Sequence, residues 1–142
     1  MDAETDTTGW IDPDTEAEAR EAYESLEPAT RTVVRETAKA MEFDPSEYET
    51  RVTSEVVETV RDALFASLLA VTVAPRREFE DWRAGYDGEV VEMGSENVDR
   101  VVWHAPGFGD EAVAATFQDE AEAAVATLRR QAFGRLYREV VR

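Results

Sequence analysis

The N-terminal half of the chain shows hydrophobic positions at helical spacing, in blocks that proline residues separate. The first block, 12–26, begins with Asp12-Pro13, where aspartate can cap free N–H groups and proline suits the first helical position. The second block, 28–41, begins with Pro28. Its apolar side consists of Val33, Val34, Ala38 and Met41. The spacing predicts two consecutive helices.

A third helix is predicted after Asp44-Pro45-Ser46-Glu47, the clearest local signal in the chain. Asp44 can cap the helix, Pro45 fits its first position, and Glu47 can reach back as in a capping box. Apolar residues then recur at spacings of four, four, three and one, at Val52, Val56, Val60, Ala63 and Leu64. This spacing places them on one face of the third helix.

The pattern changes after the third helix, where short β-branched runs replace the helical spacing. Residues 68–73 are predicted to form a strand, and residues 89–93 and 98–105 to form two more. The last two flank Gly94-Ser95-Glu96-Asn97, so we expect them to form an antiparallel hairpin. Residues 76–84 suit either a helical turn or a strand. Residues 112–118 suit either a further strand or the beginning of the last helix.

The longest predicted element is a C-terminal helix over about 119–141. Its apolar face consists of Val125, Leu128, Ala132, Leu136 and Val140, widened by Phe133 and Tyr137. The whole pattern predicts one α+β domain over 12–142, with N-terminal helices, a small antiparallel sheet of three or four strands, and the long C-terminal helix packed on it. The helix face has width to spare, so a homo-oligomer or another protein partner is a further expectation.

Residues 1–11 are predicted to form a flexible acidic tail, within which Trp10 and Ile11 stand out. Two large apolar residues in a polar segment indicate docking onto the domain, where they would hold the first helix in place. The alternative is that they anchor a partner, because aromatic residues are enriched at the centres of interfaces.

Charge changes the interpretation from an ordinary globular domain to one adapted to salt. The 142 residues include 32 acids and 15 bases, for a net charge of −17, and Lys39 is the only lysine. Self-repulsion at this charge destabilises a fold in dilute buffer, whereas salt at about 1 M shortens the screening length to about 3 Å. We therefore expect a halophilic protein whose fold needs molar salt.

Two C-terminal motifs, VVWHAPGFGD (101–110) and ATLRRQAFGRLYREVV (126–141), resemble a family of small acidic haloarchaeal proteins of unknown function. The resemblance is best over the C-terminal third of the chain. It agrees with the argument from charge, and it implies neither a mechanism nor a catalytic residue.

Composition also indicates the cellular compartment of the protein. The chain has no cysteine, which excludes disulfides, thiolate catalysis and metal sites built on sulfur. The N-terminus is acidic where a signal peptide is basic. The longest uncharged run, 63–75, is shorter than the roughly 20 residues of a membrane span. We expect a cytoplasmic protein without membrane contact.

His104 is the only histidine and the first candidate for catalysis. Alternation along its strand places Val101 and Trp103 on one face and His104 on the other. A catalytic histidine needs a nucleophile or an orienting carboxylate, and no G-x-S-x-G motif or cysteine is present. The sequence therefore favours a structural histidine bonded to a neighbour. The alternative is a ligand-binding or enzymatic pocket formed by Trp103, His104 and Phe108.

Phosphate and metal sites are not predicted. Gly107 and Gly109 lack the lysine and the spacing of a phosphate-binding loop. The alternating acids that begin at Asp12 resemble a calcium loop, but its sixth and twelfth positions hold Ala17 and Tyr23 rather than glycine and glutamate. We therefore expect no metal and no cofactor, and we nominate no catalytic residue.

The C-terminal segment 129–142 is basic, with five arginines against one acid, Glu139, for a net charge of +4. Arg129 falls on the apolar face, which predicts a partly buried ion pair. The others are candidate contacts to nucleic acid or to an acidic partner: Arg130, Arg135, Arg138 and Arg142. The helix dipole and the many acids of the chain favour internal pairing instead, and nucleic acid is the less favoured partner.

These observations lead to three functional hypotheses. The leading one is a non-catalytic interaction or accessory domain, because no catalytic constellation is present. The second is a small-molecule-binding or enzymatic pocket near Trp103 and His104. The third is a nucleic-acid-binding regulator that uses the C-terminal arginines.

Overall fold

A computed structural model describes residues 5–95 and 98–142. The described residues form a five-stranded mixed sheet with helices on both of its faces. The elements are β1 (Asp6–Thr8), α1 (Glu16–Ser25), α2 (Glu27–Ala40), α3 (Pro45–Arg51), α4 (Ser54–Ser67), β2 (Val71–Pro75), α5 (Arg76–Ala84), β3 (Glu89–Met93), β4 (Arg100–His104), β5 (Glu111–Phe117), α6 (Ala121–Ala132), a π-helical segment (Phe133–Tyr137) and α7 (Arg138–Val141). The α+β class is confirmed, but the prediction of three or four antiparallel strands is wrong.

The sheet order β1-β2-β4-β5-β3 also shows that the predicted hairpin of β3 and β4 is wrong. β3 pairs in parallel with β5, from Glu89 opposite Glu111 to Met93 opposite Ala115. β4 lies between β2 and β5 and pairs antiparallel with both. The physical reason is burial. Four consecutive residues of β4 are buried, which suits the centre of the sheet, whereas the half-exposed β3 suits its edge.

The larger core lies between one face of the sheet and α1, α4, α6 and the π-helical segment. Val102 and Val113 of the sheet pack in it with Phe65, Leu128 and Tyr137, and each of the five is at most 1% exposed. A smaller core lies on the other face, where Ala74, Val101, Trp103 and Ala114 pack with Phe79 of α5. The predicted alternation of side chains along β4 is therefore confirmed.

The N-terminal helices differ from the prediction at their ends. The capping box is confirmed, because Asp44 accepts from the Glu47 N–H at 2.8 Å and Glu47 accepts from the Asp44 N–H at 3.3 Å. The predicted third helix is wrong as a single element, because α3 and α4 are separate. The hydroxyl of Thr53 accepts from a backbone N–H at 3.2 Å and so caps a new helix.

The first helix begins at Glu16 rather than at Asp12, because a second cap lies closer to the helix. Thr15 accepts from the Glu18 N–H at 3.1 Å, and the Glu18 carboxylate accepts from the Asp14 N–H at 3.0 Å. The Asp12-Pro13 pair is left in an extended segment ahead of α1.

Part of the predicted tail belongs to the sheet. Residues 6–8 pair antiparallel with β2 as β1, and Ile11 is only 2% exposed. The backbone of Ile11 donates to Leu68 and accepts from Ala70, both at 2.9 Å. Trp10 is 64% exposed, so only one residue of the predicted docking pair is buried. Residues 1–4 lie outside the described part of the chain.

The single C-terminal helix of the prediction is interrupted. A π-helical segment separates α6 from α7, and Gly134, a poor helix former, lies within it. Leu128, Ala132 and Tyr137 on the apolar side of the predicted helix are fully buried in the larger core. Among the described residues, no helix has the length and apolar character needed to cross a membrane.

Candidate functional site

Four aromatic rings form a cluster on the face of the sheet that α5 covers. Phe79, Trp82 and Tyr86 recur at spacings of three and four, which aligns them on one side of the helix and its C-terminal extension. Trp103 of β4 meets them from the sheet. Its ring centroid lies 5.2 Å from that of Phe79 and 5.4 Å from that of Trp82, and the Trp82 ring lies 4.8 Å from that of Tyr86.

A cavity of about 330 Å³, called the aromatic cleft below, opens beside this cluster. It is lined by Thr7, Asp12, Ala70, Thr72, Trp82, Trp103, His104 and Ala105. Strand register places three of these side by side, because Thr7 pairs with Thr72 and Thr72 pairs with Trp103. Two hydroxyls and an indole therefore form a row across β1, β2 and β4.

The segment between β1 and α1 supplies the one carboxylate among the described residues that line the aromatic cleft. Asp12 directly follows the buried Ile11, whose backbone is bonded to the chain on either side of Leu69. Asp12 itself is exposed. The cleft therefore combines two indoles, two hydroxyls and one negative charge.

His104 also lines the cleft and is only 2% exposed. Its Nδ1 lies 2.5 Å from the carbonyl oxygen of Ala70, and its Nε2 lies 2.6 Å from the hydroxyl of Tyr137. A carbonyl can only accept, so Nδ1 carries the proton and Nε2 of the neutral ring accepts from the Tyr137 hydroxyl. The expectation of a strand histidine bonded to neighbours agrees with this geometry.

Burial determines the protonation of this pair. It lowers the pKa of His104, against the opposing effects of the Ala70 hydrogen bond and the charge of Asp12. Burial also raises the pKa of Tyr137, and the charge of Asp12 adds to the increase. Both groups are therefore neutral at neutral pH, and neither ring nitrogen of His104 has a free position for a ligand proton.

The three residues of the predicted pocket are not all together. Trp103 and His104 line the aromatic cleft. Phe108 lies in the turn between β4 and β5 and packs edge-on against Tyr137, with ring centroids 5.7 Å apart. The spacing of Phe79, Trp82 and Tyr86 was the signal that could have added Trp82 to the prediction. Asp12 was considered only as a helix cap and a metal ligand.

Comparison with known protein families gives a match. Residues 10–138 match the model of a family of unknown function, DUF5809. The chain belongs to this family. The expected membership of a family of unknown function is thereby confirmed. No curated protein and no solved structure matches the chain. The DUF5809 match includes every residue that lines the aromatic cleft except Thr7.

Two of the four candidate contact arginines form ion pairs within this DUF5809 chain. The Nε of Arg135 donates to the carboxylate of Glu111 at 2.9 Å, and a second nitrogen reaches the other oxygen at 3.3 Å. Arg142 donates to Asp62 at 2.9 Å and also lies 3.2 Å from Glu58. These guanidinium groups are therefore engaged by acids of the same chain.

The remaining arginines of the C-terminal segment also have internal contacts. Arg130 donates to the Thr127 hydroxyl at 3.3 Å, and the Arg138 guanidinium lies 5.6 Å from the centre of the Phe133 ring. Arg129 is partly buried, and it donates to the Leu69 carbonyl at 2.9 Å rather than to a carboxylate. The four candidate side chains thus contact different parts of the protein rather than one shared ligand site.

Proposed function

We propose that this chain is a non-catalytic binding domain whose aromatic cleft takes a small organic cation. The observation that carries the proposal is the union of two indole rings, Trp82 and Trp103, with one carboxylate, Asp12, around a cavity of about 330 Å³. This volume is within the range of small-molecule sites.

The charge of the lining favours a cation. Among the described residues that line the cleft, Asp12 is the only carboxylate and none is a lysine or arginine. Indole faces attract cations through the ring quadrupole, most strongly where water is excluded. At low salt, where screening is weak, a net charge of −17 also concentrates cations around the whole protein.

The state of His104 supports binding rather than catalysis. A general base needs a lone pair directed at the proton that it removes. Nδ1 of His104 is protonated toward Ala70, and the Nε2 lone pair accepts from Tyr137. The hydroxyls of Thr7 and Thr72 therefore have no histidine available to activate them.

A fluorescence titration with tetramethylammonium chloride tests the proposal. Trp10→Phe removes the exposed indole, so that the remaining emission comes from Trp82 and Trp103. In this background we expect saturable quenching, and we expect Asp12→Asn to weaken binding about tenfold, the effect of about 1.4 kcal/mol of lost attraction.

The matched control is Asp14→Asn, which removes the same charge two residues along the chain, outside the aromatic cleft. It should bind as the parent does. The uncharged analogue tert-butanol should bind more weakly than the cation. Equal loss of affinity in the two asparagine variants, or no saturable quenching at all, would exclude the cleft as a cation site.

We also propose a salt-rich cytosol of a halophile as the working environment. The support is the net charge of −17 together with the absence of cysteine. The free energy of unfolding should rise as KCl increases from 0.1 M to 2 M, because salt screens the self-repulsion of the acids. Equal stability at both concentrations would refute this part of the proposal.

A further inference from the structure

A second cavity, called the arginine cavity below, lies in the helical part of the chain, apart from the aromatic cleft. Its volume is about 580 Å³, and α1, α2, α3 and α4 all contribute to it. Its lining consists of Tyr23, Arg31, Val34, Arg35, Tyr48, Val52, Thr53, Ser54, Val57, Glu58 and Arg61. Three of these residues are arginines.

Helical spacing places the arginines toward one another. Arg31 and Arg35 are one turn apart on α2, on the side of the buried Val34. Arg61 is on α4, where it follows Ser54, Val57 and Glu58 of the lining at spacings of three, one and three. These spacings align the four α4 residues on one helix face, opposite the arginines of α2.

Among the described residues, two of the three arginines of the arginine cavity have no acidic partner. Arg31 pairs with Glu27 at 3.0 Å on the exposed side of α2. Within residues 5–95 and 98–142, no carboxylate forms an ion pair with Arg35 or Arg61. The one acid of the lining, Glu58, lies 3.2 Å from Arg142.

Arg61 provides a second and independent observation. Its Nε is buried without a hydrogen-bond partner, and its guanidinium lies 5.0 Å from the centre of the Tyr23 ring. Buried donors in native proteins are nearly always bonded, and none of the described residues supplies an acceptor for this one. An acidic protein that keeps three of its 15 bases around one cavity has the arrangement of an anion site.

A smaller cavity of about 220 Å³ adjoins the arginine cavity and indicates that a ligand would also have an apolar part. Val34 and Val52 line both cavities, and the smaller one is otherwise lined mainly by apolar side chains: Met41, Phe43, Val56 and Val60, with Thr37, Ala38 and Arg51. The valines that the sequence places on one face of the predicted third helix lie here, with Val56 41% exposed. An apolar surface next to the arginines therefore lacks a cover within the described residues.

We propose that the arginine cavity binds the oxyanion of a small amphipathic molecule, whose apolar chain lies over Val52 and Val56. Guanidinium groups suit both carboxylates and phosphates, because their N–H groups match two oxygens at once. Arg35 and Arg61 supply these donors, and Tyr48 also lines the cavity. The site is independent of the aromatic cleft and of the cation proposed for it.

Isothermal titration calorimetry with octanoate and with octyl phosphate tests the inference and separates the two headgroups. It is performed on the full chain, at the lowest KCl concentration that maintains the fold, because chloride competes for the arginines. We expect saturable binding of at least one probe. Acetate, inorganic phosphate and 1-octanol should each bind at least tenfold more weakly than the intact amphiphile that shares their headgroup or chain.

Arg35→Gln is the principal variant, because Arg35 is exposed and its loss leaves the core intact. It should weaken binding of the amphiphile at least tenfold, and Arg61→Gln should weaken it by a similar factor. Arg130→Gln is the matched control, since it changes the net charge equally but lies on α6, outside the cavity. It should leave affinity within twofold.

Val56→Asn tests the apolar half separately, because it places a polar group beside the chain of the ligand without changing the charge near the arginines. It should weaken the binding of octanoate and leave the weak binding of acetate unchanged. Three results would overturn the inference: no saturable binding of either amphiphile, equal losses in Arg35→Gln and Arg130→Gln, or equal affinity for inorganic phosphate and octyl phosphate. Circular dichroism confirms that each variant is folded.

Discussion

The aromatic cleft and the arginine cavity differ in the elements that form their walls. The cleft lies on the sheet, where strand pairing fixes Thr7, Thr72 and Trp103 in one row. The arginine cavity lies among helices, and α3, which forms one of its walls, has no buried residue. A row fixed by backbone hydrogen bonds gives a preformed site. Walls of long side chains on lightly packed helices give an adaptable one.

The two cavities also differ in charge, although they belong to one chain of net charge −17. Counted over the described residues, the aromatic cleft has a single carboxylate, and the arginine cavity has three guanidinium groups and one acid. Net charge therefore sets the long-range field of a protein, whereas the residues that the fold brings together set the charge of a site.

The largest expected effect is on the sheet side, at His104. His104→Ala should lower the free energy of unfolding by about 4 kcal/mol, because it opens a void and leaves the Tyr137 hydroxyl and the Ala70 carbonyl without partners. Tyr137→Phe, which removes only the hydroxyl, should cost about 1–2 kcal/mol. Urea unfolding measures both. A loss below about 1 kcal/mol for His104→Ala would contradict a rigid, preformed cleft.

The next largest expected difference in stability is between substitutions at Ile11 and at Trp10. Ile11→Ala should cost about 3 kcal/mol, because Ile11 is buried and holds the segment that carries Asp12 into the cleft. Trp10→Ala should change stability by less than about 0.5 kcal/mol, because Trp10 is 64% exposed. Thermal unfolding distinguishes them, and similar losses would mean that Trp10 docks as well.

The pH dependence of stability sharpens the assignment of a neutral His104. Burial lowers the pKa of His104 in the folded state, so the unfolded chain takes up a proton first as pH falls through about 6.5. Stability is therefore present above that pH and declines below it, by at most about 1.4 kcal/mol per pH unit for one proton. The matched variant His104→Asn should lose this component of the slope. Parallel profiles of the two proteins would show that His104 is protonated equally in both states.

The smallest expected effect on stability lies at the arginine cavity. Arg35→Gln should change the free energy of unfolding by less than about 0.5 kcal/mol, because Arg35 is exposed and forms no ion pair among the described residues. Urea unfolding checks this, with Arg130→Gln as a control of equal charge. A loss above 1 kcal/mol would show that Arg35 supports the helices, and would weaken its use as a probe of binding.

Several elements could be predicted from the sequence because their causes are local. The capping box at Asp44 and Glu47 formed as expected, since both bonds join residues three apart. The two faces of β4 followed from alternation. The cap at Asp12 failed because Thr15 supplies a competing cap, and the third helix was divided by a cap at Thr53.

The candidate sites could be predicted only in part. Trp103 and His104 were identified because they are rare residue types on an apolar strand. Asp12 and Thr72 were not, because their meeting depends on how β1 and the following segment return to β2. The arginine cavity was missed for a similar reason. Arg35 and Arg61 are 26 positions apart, and each alone is an ordinary arginine on a helix.

Composition and local patterns were enough to predict the α+β class, the net charge of −17, the capping box at Asp44 and Glu47, and the alternation along β4. These properties depend on residues within one or two turns of each other, or on composition alone. Only the tertiary structure decided that β3 pairs with β5, that His104 meets Tyr137, and that three arginines share one cavity. Such contacts join distant segments, and competition for burial at the centre of the sheet selects among pairings that local signals leave equally open.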